Sequence, residues 1–412
     1  MLKKPFLFIF ALTLLTLSSC HFGRMIRYGT EDITDHKIFP KTEIQSPPEK
    51  HPYKIKDEKA LFDDYTVPQT DQTLEDFLLE TKTTAFLIIR NDSILYEQYF
   101  RDYEPSDVSN IFSVSKSVTS LLIGIAIDQG YINSVNDKVT KYLPELAEKN
   151  SDFNQLTILD LLNMRSGLDF SESYKSPFSE VARLYYGKNQ LKQIQKLEFS
   201  SSPGEVHEYQ SVSTSILGMV IEKATGKALG KYLETTVWQP MGMEFDASWS
   251  VDDKKNQSTK AFCCLNTTAR DLAKIGSLYL KHGNWNGKQI VSEKWVSSTV
   301  TPNLDNDCYQ YQWYNTERKG YKYQGEYLKD SLAVVALAEN LGLKTYEPVY
   351  EYVPSEEKDL WGLHYCSNYY YGLGVNGQYL LVDPSKDLVF VRLGEKFDAN
   401  YLMLINSLRS YL

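Results

Sequence analysis

The chain has 412 residues, 42% of them hydrophobic and 24% charged, which is enough apolar material for one large or two intermediate cores and excludes disorder as the default state. A formal net charge of -9 without a Lys/Arg cluster excludes nucleic acid as the expected partner, because phosphate binding needs a basic face. A small molecule or a peptide is the expected ligand class.

Lys3 and Lys4 precede an apolar stretch over residues 6–17 that is too short to span a bilayer, so residues 1–20 read as a secretory signal. Its end, Leu17-Ser18-Ser19-Cys20, resembles the lipobox of bacterial lipoproteins, in which the cysteine is lipidated and becomes the mature N-terminus. That resemblance implies a membrane anchor at Cys20, in the bacterial cell envelope and facing the periplasm or the exterior. Plain signal-peptidase cleavage beside an incidental cysteine is the alternative. Residues 21–67 mix Lys, Asp, Glu, Thr and Pro, with Pro40, Pro47, Pro48 and Pro52 interrupting any regular element, and are expected to form a flexible tether.

A folded domain is expected over residues 68–412. Leu74, Phe77 and Leu78 predict a first helix, and two β-rich runs, 84–89 and 93–100, flank the turn Arg90-Asn91-Asp92. The apolar run Val118, Leu121, Leu122, Ile125 predicts the next helix. The stretch 131–302 reads as mostly helical, with helices over 157–164, 213–224, 228–237, 269–281 and 293–300. Strand character returns at 309–314, 378–382 and 388–393, and 400–412 is an amphipathic closing helix. Early and late strands bracketing a helical middle predict an α+β fold. It has a five-stranded antiparallel sheet built from about 68–130 and 303–412, flanked by the N- and C-terminal helices, with a helical subdomain inserted. Residues 315–368 are long for a connection and rich in Tyr and Glu, and are expected to form either a lid over a cleft or a solvated excursion.

With Cys20 set aside, Cys263, Cys264, Cys308 and Cys366 are expected to be buried thiols, since a bond between adjacent cysteines would be strained and sequence cannot pair the rest. The six histidines are scattered and no His-Glu-x-x-His occurs, so neither a metal nor another cofactor is expected.

Ser113-Val114-Ser115-Lys116 carries the chemistry. On a helix, Ser113 and Lys116 share a face, and a serine hydroxyl becomes a useful nucleophile only when a neighbouring base takes its proton. Chance supplies roughly two such spacings in a chain of this length. The second, Ser355-Glu356-Glu357-Lys358, lies in an acidic stretch with no apolar run behind it and reads as surface. Tyr209 in Tyr209-Gln210-Ser211 sits before a helix, on a loop that can lean beside Ser113, and is the candidate second base. Gly372-Leu373-Gly374-Val375-Asn376-Gly377-Gln378 is expected to open the strand that ends at Asp383. Its glycines permit close backbone approach, and the Val375 amide can pair with that of Ser113 as an oxyanion hole; an ordinary glycine-rich start to a strand is the bland reading. Thr268 and Asp271 read as a capping box. His207-Glu208 suggests a Ser-His-Asp arrangement only weakly, because no Gly-x-Ser-x-Gly elbow exists.

Ser113-x-x-Lys116, Tyr209-x-Ser211 and the glycine-rich strand, in this order, resemble the serine β-lactamase and penicillin-binding protein superfamily. The likeness is greatest to its class C-related esterases, D-aminopeptidases and 6-aminohexanoate-dimer hydrolases. Leu161-Leu162-Asn163-Met164-Arg165-Ser166-Gly167-Leu168 and Thr268-Ala269-Arg270-Asp271-Leu272-Ala273-Lys274 are similar to stretches of the same family, and the likeness runs from about residue 70 to the C-terminus. The resemblance implies that Ser113 is acylated, that Lys116 and Tyr209 share proton transfer with Ser211 in support, and that the Ser113 and Val375 amides hold the oxyanion. Two positions depart from the family pattern. Gly372-Leu373-Gly374 stands where many relatives carry Lys-Thr-Gly or His-x-Gly, and Ser211 stands where Asn is common. Without a cation to bind a carboxylate, the expectation moves from β-lactams toward a small-molecule or peptide substrate with an ester or simple amide bond. The alternatives are a D-peptidase or β-lactamase acting on peptidoglycan-type substrates, and a non-catalytic penicillin-binding-like sensor lipoprotein.

Overall fold

The computed structural model describes residues 21–323, 325–353, 356–397 and 400–412; the signal and Cys20 lie outside the described residues. A central sheet of nine strands runs in the order Tyr309–Gln310, Trp313–Gly320, Lys358–Gly374, Gln378–Asp383, Leu388–Gly394, Thr83–Arg90, Ser93–Tyr99, Lys54–Ile55, with Tyr346–Val353 joined to Lys358–Gly374. Every pairing is antiparallel except that of Lys54–Ile55 with Ser93–Tyr99. The five expected strands are all present, the one at 309–314 as the start of a hairpin, but the sheet is larger than expected. Lys358–Gly374 escapes period-two reading because its inner half is buried on successive residues, so no polar face alternates with an apolar one.

On one face of the sheet, Phe77 and Leu78 of the Leu74–Glu80 helix and Leu404 and Ile405 of the Asn400–Tyr411 helix pack against Phe86, Ile88 and Phe390. Thr73 caps the first of these helices, its hydroxyl accepting from the Asp76 amide at 3.1 Å. On the other face lies the Ala269–Leu280 helix, and Gly276 is what lets it settle there: a Cβ at that position would stand 2.7 Å from Val389 Cγ1. Deeper in, the Val114–Asp128 helix is buried almost all round, as its apolar composition requires, and packs along Ser211–Thr225.

Residues 21–67 are not a flexible tether. They hold a helix, His21–Tyr28, and a strand, Lys41–Ile44, that begins a second sheet running through Ala247–Ser250 and Leu265–Thr267 to Ser109–Asn110, three residues before Ser113. Ile33, Phe39, Ile44, Tyr53, Phe62 and Val67 are buried. Prolines interrupt this segment without freeing it, because apolar side chains between them reach the core. The cysteines also differ from expectation: Cys263 is bonded to Cys264 and Cys308 to Cys366, so none of the four is a free thiol. Strand pairing brings Cys308 and Cys366 together across a sequence separation of 58, which no reading of spacing could supply.

Candidate active site

Ser113 stands at the N-terminus of the Val114–Asp128 helix, after Phe112, whose φ of 45° places a bulky residue in the left-handed region. The Asn110 side chain holds that bend by accepting from the Phe112 amide at 3.0 Å. One turn into the helix, Lys116 is 1% exposed, and its amine donates to Ser113 Oγ at 2.9 Å, Ser211 Oγ at 3.1 Å and the Phe262 carbonyl at 2.9 Å. The amine thus meets three neutral acceptors, one of them the candidate nucleophile.

Ser211 begins the Ser211–Thr225 helix, and both its amide and its hydroxyl donate to Glu172, at 2.9 and 2.6 Å. A carboxylate at a helix N-terminus is favoured there by the unpaired amides. Because the Ser211 hydroxyl gives its proton to Glu172, its oxygen is left to accept from Lys116. Glu172 also accepts from the Tyr174 hydroxyl at 2.6 Å. Sequence reasoning missed Glu172, which lies on an irregular loop with no periodic signal.

Tyr209 lies beside this network, the Lys116 amine 5.0 Å from its ring centroid. Its ring stacks on Tyr314 at 6.0 Å and meets the Tyr309 ring edge-on at 6.1 Å, and the Tyr314 phenol hydrogen-bonds to it. Burial first, then the neighbouring Tyr209 and Glu172, push the Tyr309 phenol well above its ordinary value. His207 pairs with Asp307 at 2.7 Å, whereas the hydroxyl of Ser113 is held by Lys116, so the Ser-His-Asp arrangement does not form.

The glycine-rich motif closes the strand Lys358–Gly374 rather than opening the next one, and residues 375–377 form the turn into Gln378–Asp383. Its glycines serve approach to the Ser113 helix: a Cβ on Gly374 would lie 2.5 Å from the Ile111 carbonyl, and one on Gly372 3.2 Å from Val114 Cγ1. A side chain at 372 would thus point at the helix. The turn is anchored from behind by Arg392, fully buried, whose guanidinium donates to the carbonyls of Asn376 and Gly377 at 2.6 Å each and of Thr81 at 2.7 Å. Asp271 is also buried, accepting from Thr268 and from the amides of Glu244 and Phe245 at 2.7 and 2.9 Å, which is a structural cap.

Ser113, Ser211 and Val375 open onto one pocket. Phe112, Phe262 and Tyr185 make much of its wall, and no Lys or Arg is among the described residues that line it. None of its lining comes from 315–368, which instead carries the Ser331–Asn340 helix and a small apolar cluster of Val334, Ala338 and Leu363. The structure therefore brings Ser113, Lys116, Tyr209, Ser211 and Val375 together; of the second Ser-x-x-Lys spacing, Ser355 lies outside the described residues and Lys358 begins the strand Lys358–Gly374. Among the described residues no cluster of His, Cys, Asp or Glu has the make-up of a metal site, and no helix is long and apolar enough to cross a membrane.

Comparison with known proteins bears on the family and the fold. The Beta-lactamase family model matches residues 71–402. A 6-aminohexanoate-dimer hydrolase of Paenarthrobacter ureafaciens is 32% identical over 246 residues, which is 57% of this chain and 60% of that protein's length. A provisionally named D-alanyl-D-alanine carboxypeptidase of Salmonella typhimurium is 33% identical over 27% of each chain. The matched stretches thus span less than two thirds of these curated relatives. Among solved structures, one provisionally named a 6-aminohexanoate-dimer hydrolase from Bacillus anthracis superposes with a TM-score of 0.71 at 21% identity, covering 92% of this chain and 91% of that one. A class C beta-lactamase superposes with a TM-score of 0.56 at 14% identity, covering 86% and 96%. At such identities the structures speak for the fold alone.

Proposed function

This chain belongs to the Beta-lactamase family, and on that premise we propose that it is a metal-independent serine hydrolase, cleaving an ester or amide bond through an acyl-enzyme on Ser113. The observation that carries the reading is the 2.9 Å hydrogen bond from the buried Lys116 amine to Ser113 Oγ, which lines a pocket.

In this reading Ser113 Oγ attacks the substrate carbonyl carbon as its proton passes to the Lys116–Tyr209 pair. The carbonyl oxygen becomes an oxyanion, stabilised by the backbone amides of Ser113 and Val375 on either side of the pocket. The tetrahedral species collapses by expelling the alcohol or amine, which takes up the transferred proton. Water then adds to the acyl-enzyme with the same groups working in reverse, and Ser113 regains its proton. Glu172 acts through Ser211: by fixing that hydroxyl it fixes where the Lys116 amine points. Arg392 acts through the turn it anchors, keeping the Val375 amide in place.

The pocket supports an ester or amide over a carboxylate-bearing lactam or D-alanyl peptide. Among the described lining residues there is no cation to pair with a carboxylate, and Glu31 adds a negative charge to the wall. The test is labelling with a fluorophosphonate followed by mass spectrometry of the modified peptide. A single adduct on Ser113 is expected; no adduct, under conditions that label known serine hydrolases, overturns the proposal.

A further inference from the structure

The family match begins at residue 71, yet part of the pocket wall comes from the segment before it. Met25, on the His21–Tyr28 helix, and Glu31, just beyond that helix, both line the cavity onto which Ser113 opens.

The segment is bound to both sides of the catalytic centre. The Ile33 carbonyl accepts from the Asn110 amide at 2.8 Å, on the strand that leads to Ser113. The Glu31 carbonyl accepts from the side chain of Asn376 at 3.4 Å, the residue after Val375. Behind these, the Arg24 guanidinium is 5% exposed and donates to the carbonyls of Gly187 and Asp252 at 2.8 and 3.3 Å. The hydroxyl of Tyr186, which also lines the pocket, donates to the Gly29 carbonyl at 2.8 Å. Tyr185, another lining residue, hydrogen-bonds to Asp35. A stretch tied at this many points and buried through Ile33 and Phe39 is a fixed wall and not a passing strand of chain.

From this arrangement we infer that the N-terminal segment sets the substrate range of the site, which rests on the serine-hydrolase reading given above. Met25 limits the length of the acyl chain that lies in the pocket, and Glu31 turns away acyl chains that end in a carboxylate. The substrate class that fits is an ester or amide of an uncharged, apolar acyl group. A flexible thioether in the pocket wall is a yielding stop, so the limit is a gradient across chain lengths and not a single cut-off.

The experiment uses the full chain and two fluorophosphonates that differ only in having a short or a long alkyl chain, because that chain stays on Ser113 and reports the acyl side. The readout is the ratio of long-chain to short-chain labelling rates. Met25→Trp is expected to lower this ratio by about tenfold or more, the range that one or two methylenes command in an apolar pocket, and Met25→Ala to raise it. Ile26→Ala is the control, since Ile26 is 67% exposed and is not among the residues that line the cavity. In parallel, Glu31→Gln is expected to raise the rate on nitrophenyl hemiadipate relative to nitrophenyl hexanoate by about three- to tenfold. Should Met25→Trp fail to fold, the Met25→Ala ratio decides. Labelled Ser113 with ratios indistinguishable from wild type in both Met25 variants overturns the wall and leaves the hydrolase standing. No labelling of the wild-type chain by either probe overturns both.

Discussion

Two fully buried lysines, Lys116 and Lys260, have opposite chemical prospects. Lys116 gives its protons to two hydroxyls and the carbonyl of Phe262, and one of those hydroxyls opens onto the pocket. Lys260, two residues before Phe262, points the other way. Its amine lies 3.4 Å from the centroid of the Phe39 ring and 4.8 Å from that of Tyr185, and donates to the Tyr185 carbonyl. Both are removed from water, so burial is not what separates them. The difference lies in what each amine faces: a hydroxyl that a substrate can reach, or aromatic faces and a carbonyl inside a closed core.

The sharpest way to break this contrast is to remove each amine in turn. Lys116→Ala is expected to lower kcat/KM on a nitrophenyl ester by about 10²- to 10⁴-fold, the usual contribution of a positioned proton-transfer group, while a thermal unfolding transition persists. A rate near that of wild type would remove Lys116 from its role. Next in size is Glu172→Ala, which frees the Ser211 hydroxyl to turn away from Lys116. A loss of about ten- to a hundredfold is expected, matching the roughly 1.5–3 kcal/mol of hydrogen bonds to a charged group, and it should appear in kcat more than in KM. An unchanged kcat would mean that Lys116 is held by its other two acceptors alone.

The smallest effect on rate should come from Lys260, whose contribution concerns stability instead. Burial, followed by the charge of Arg24, holds its amine well below the ordinary 10.5, against the opposing pull of Asp252 and Asp35. Between that lowered value and 10.5 the unfolded chain carries a proton that the folded chain lacks, so stability rises with pH across this window. The slope from one such proton is about 1.4 kcal/mol per pH unit. Lys260→Met removes it, and unfolding temperatures compared between wild type and variant should converge as pH climbs toward 10.5. A constant gap across that range would show that the folded chain keeps this lysine charged.

How much of this was readable beforehand varies with the range of the interaction. Ser113 and Lys116 were legible because three residues on a helix fix their proximity locally, and Tyr209 and Val375 because their order along the chain resembles a known pattern. Glu172 and Arg392 were not. Each acts through a hydrogen bond to residues 39 and 16 positions away, on an irregular loop or a neighbouring strand, and neither leaves a periodic trace. The segment 21–67 misled for the same reason: its prolines are visible in sequence, whereas the partner strand Ala247–Ser250 that orders it lies some two hundred residues on.

What the sequence determined by itself is therefore the set of local facts. These are a buried helix with serine and lysine on one face, the five core strands, and the absence of a cation at Gly372. Tertiary structure alone decided which groups meet those residues. The nine-stranded sheet, the pairing of Cys308 with Cys366, the hold of Glu172 on Ser211 and the wall supplied by Met25 and Glu31 all arise from chain closure over long distances. Sequence spacing constrains neighbours within a turn or a hairpin, but a contact across hundreds of residues depends on how the whole core packs, and only the folded chain contains that information.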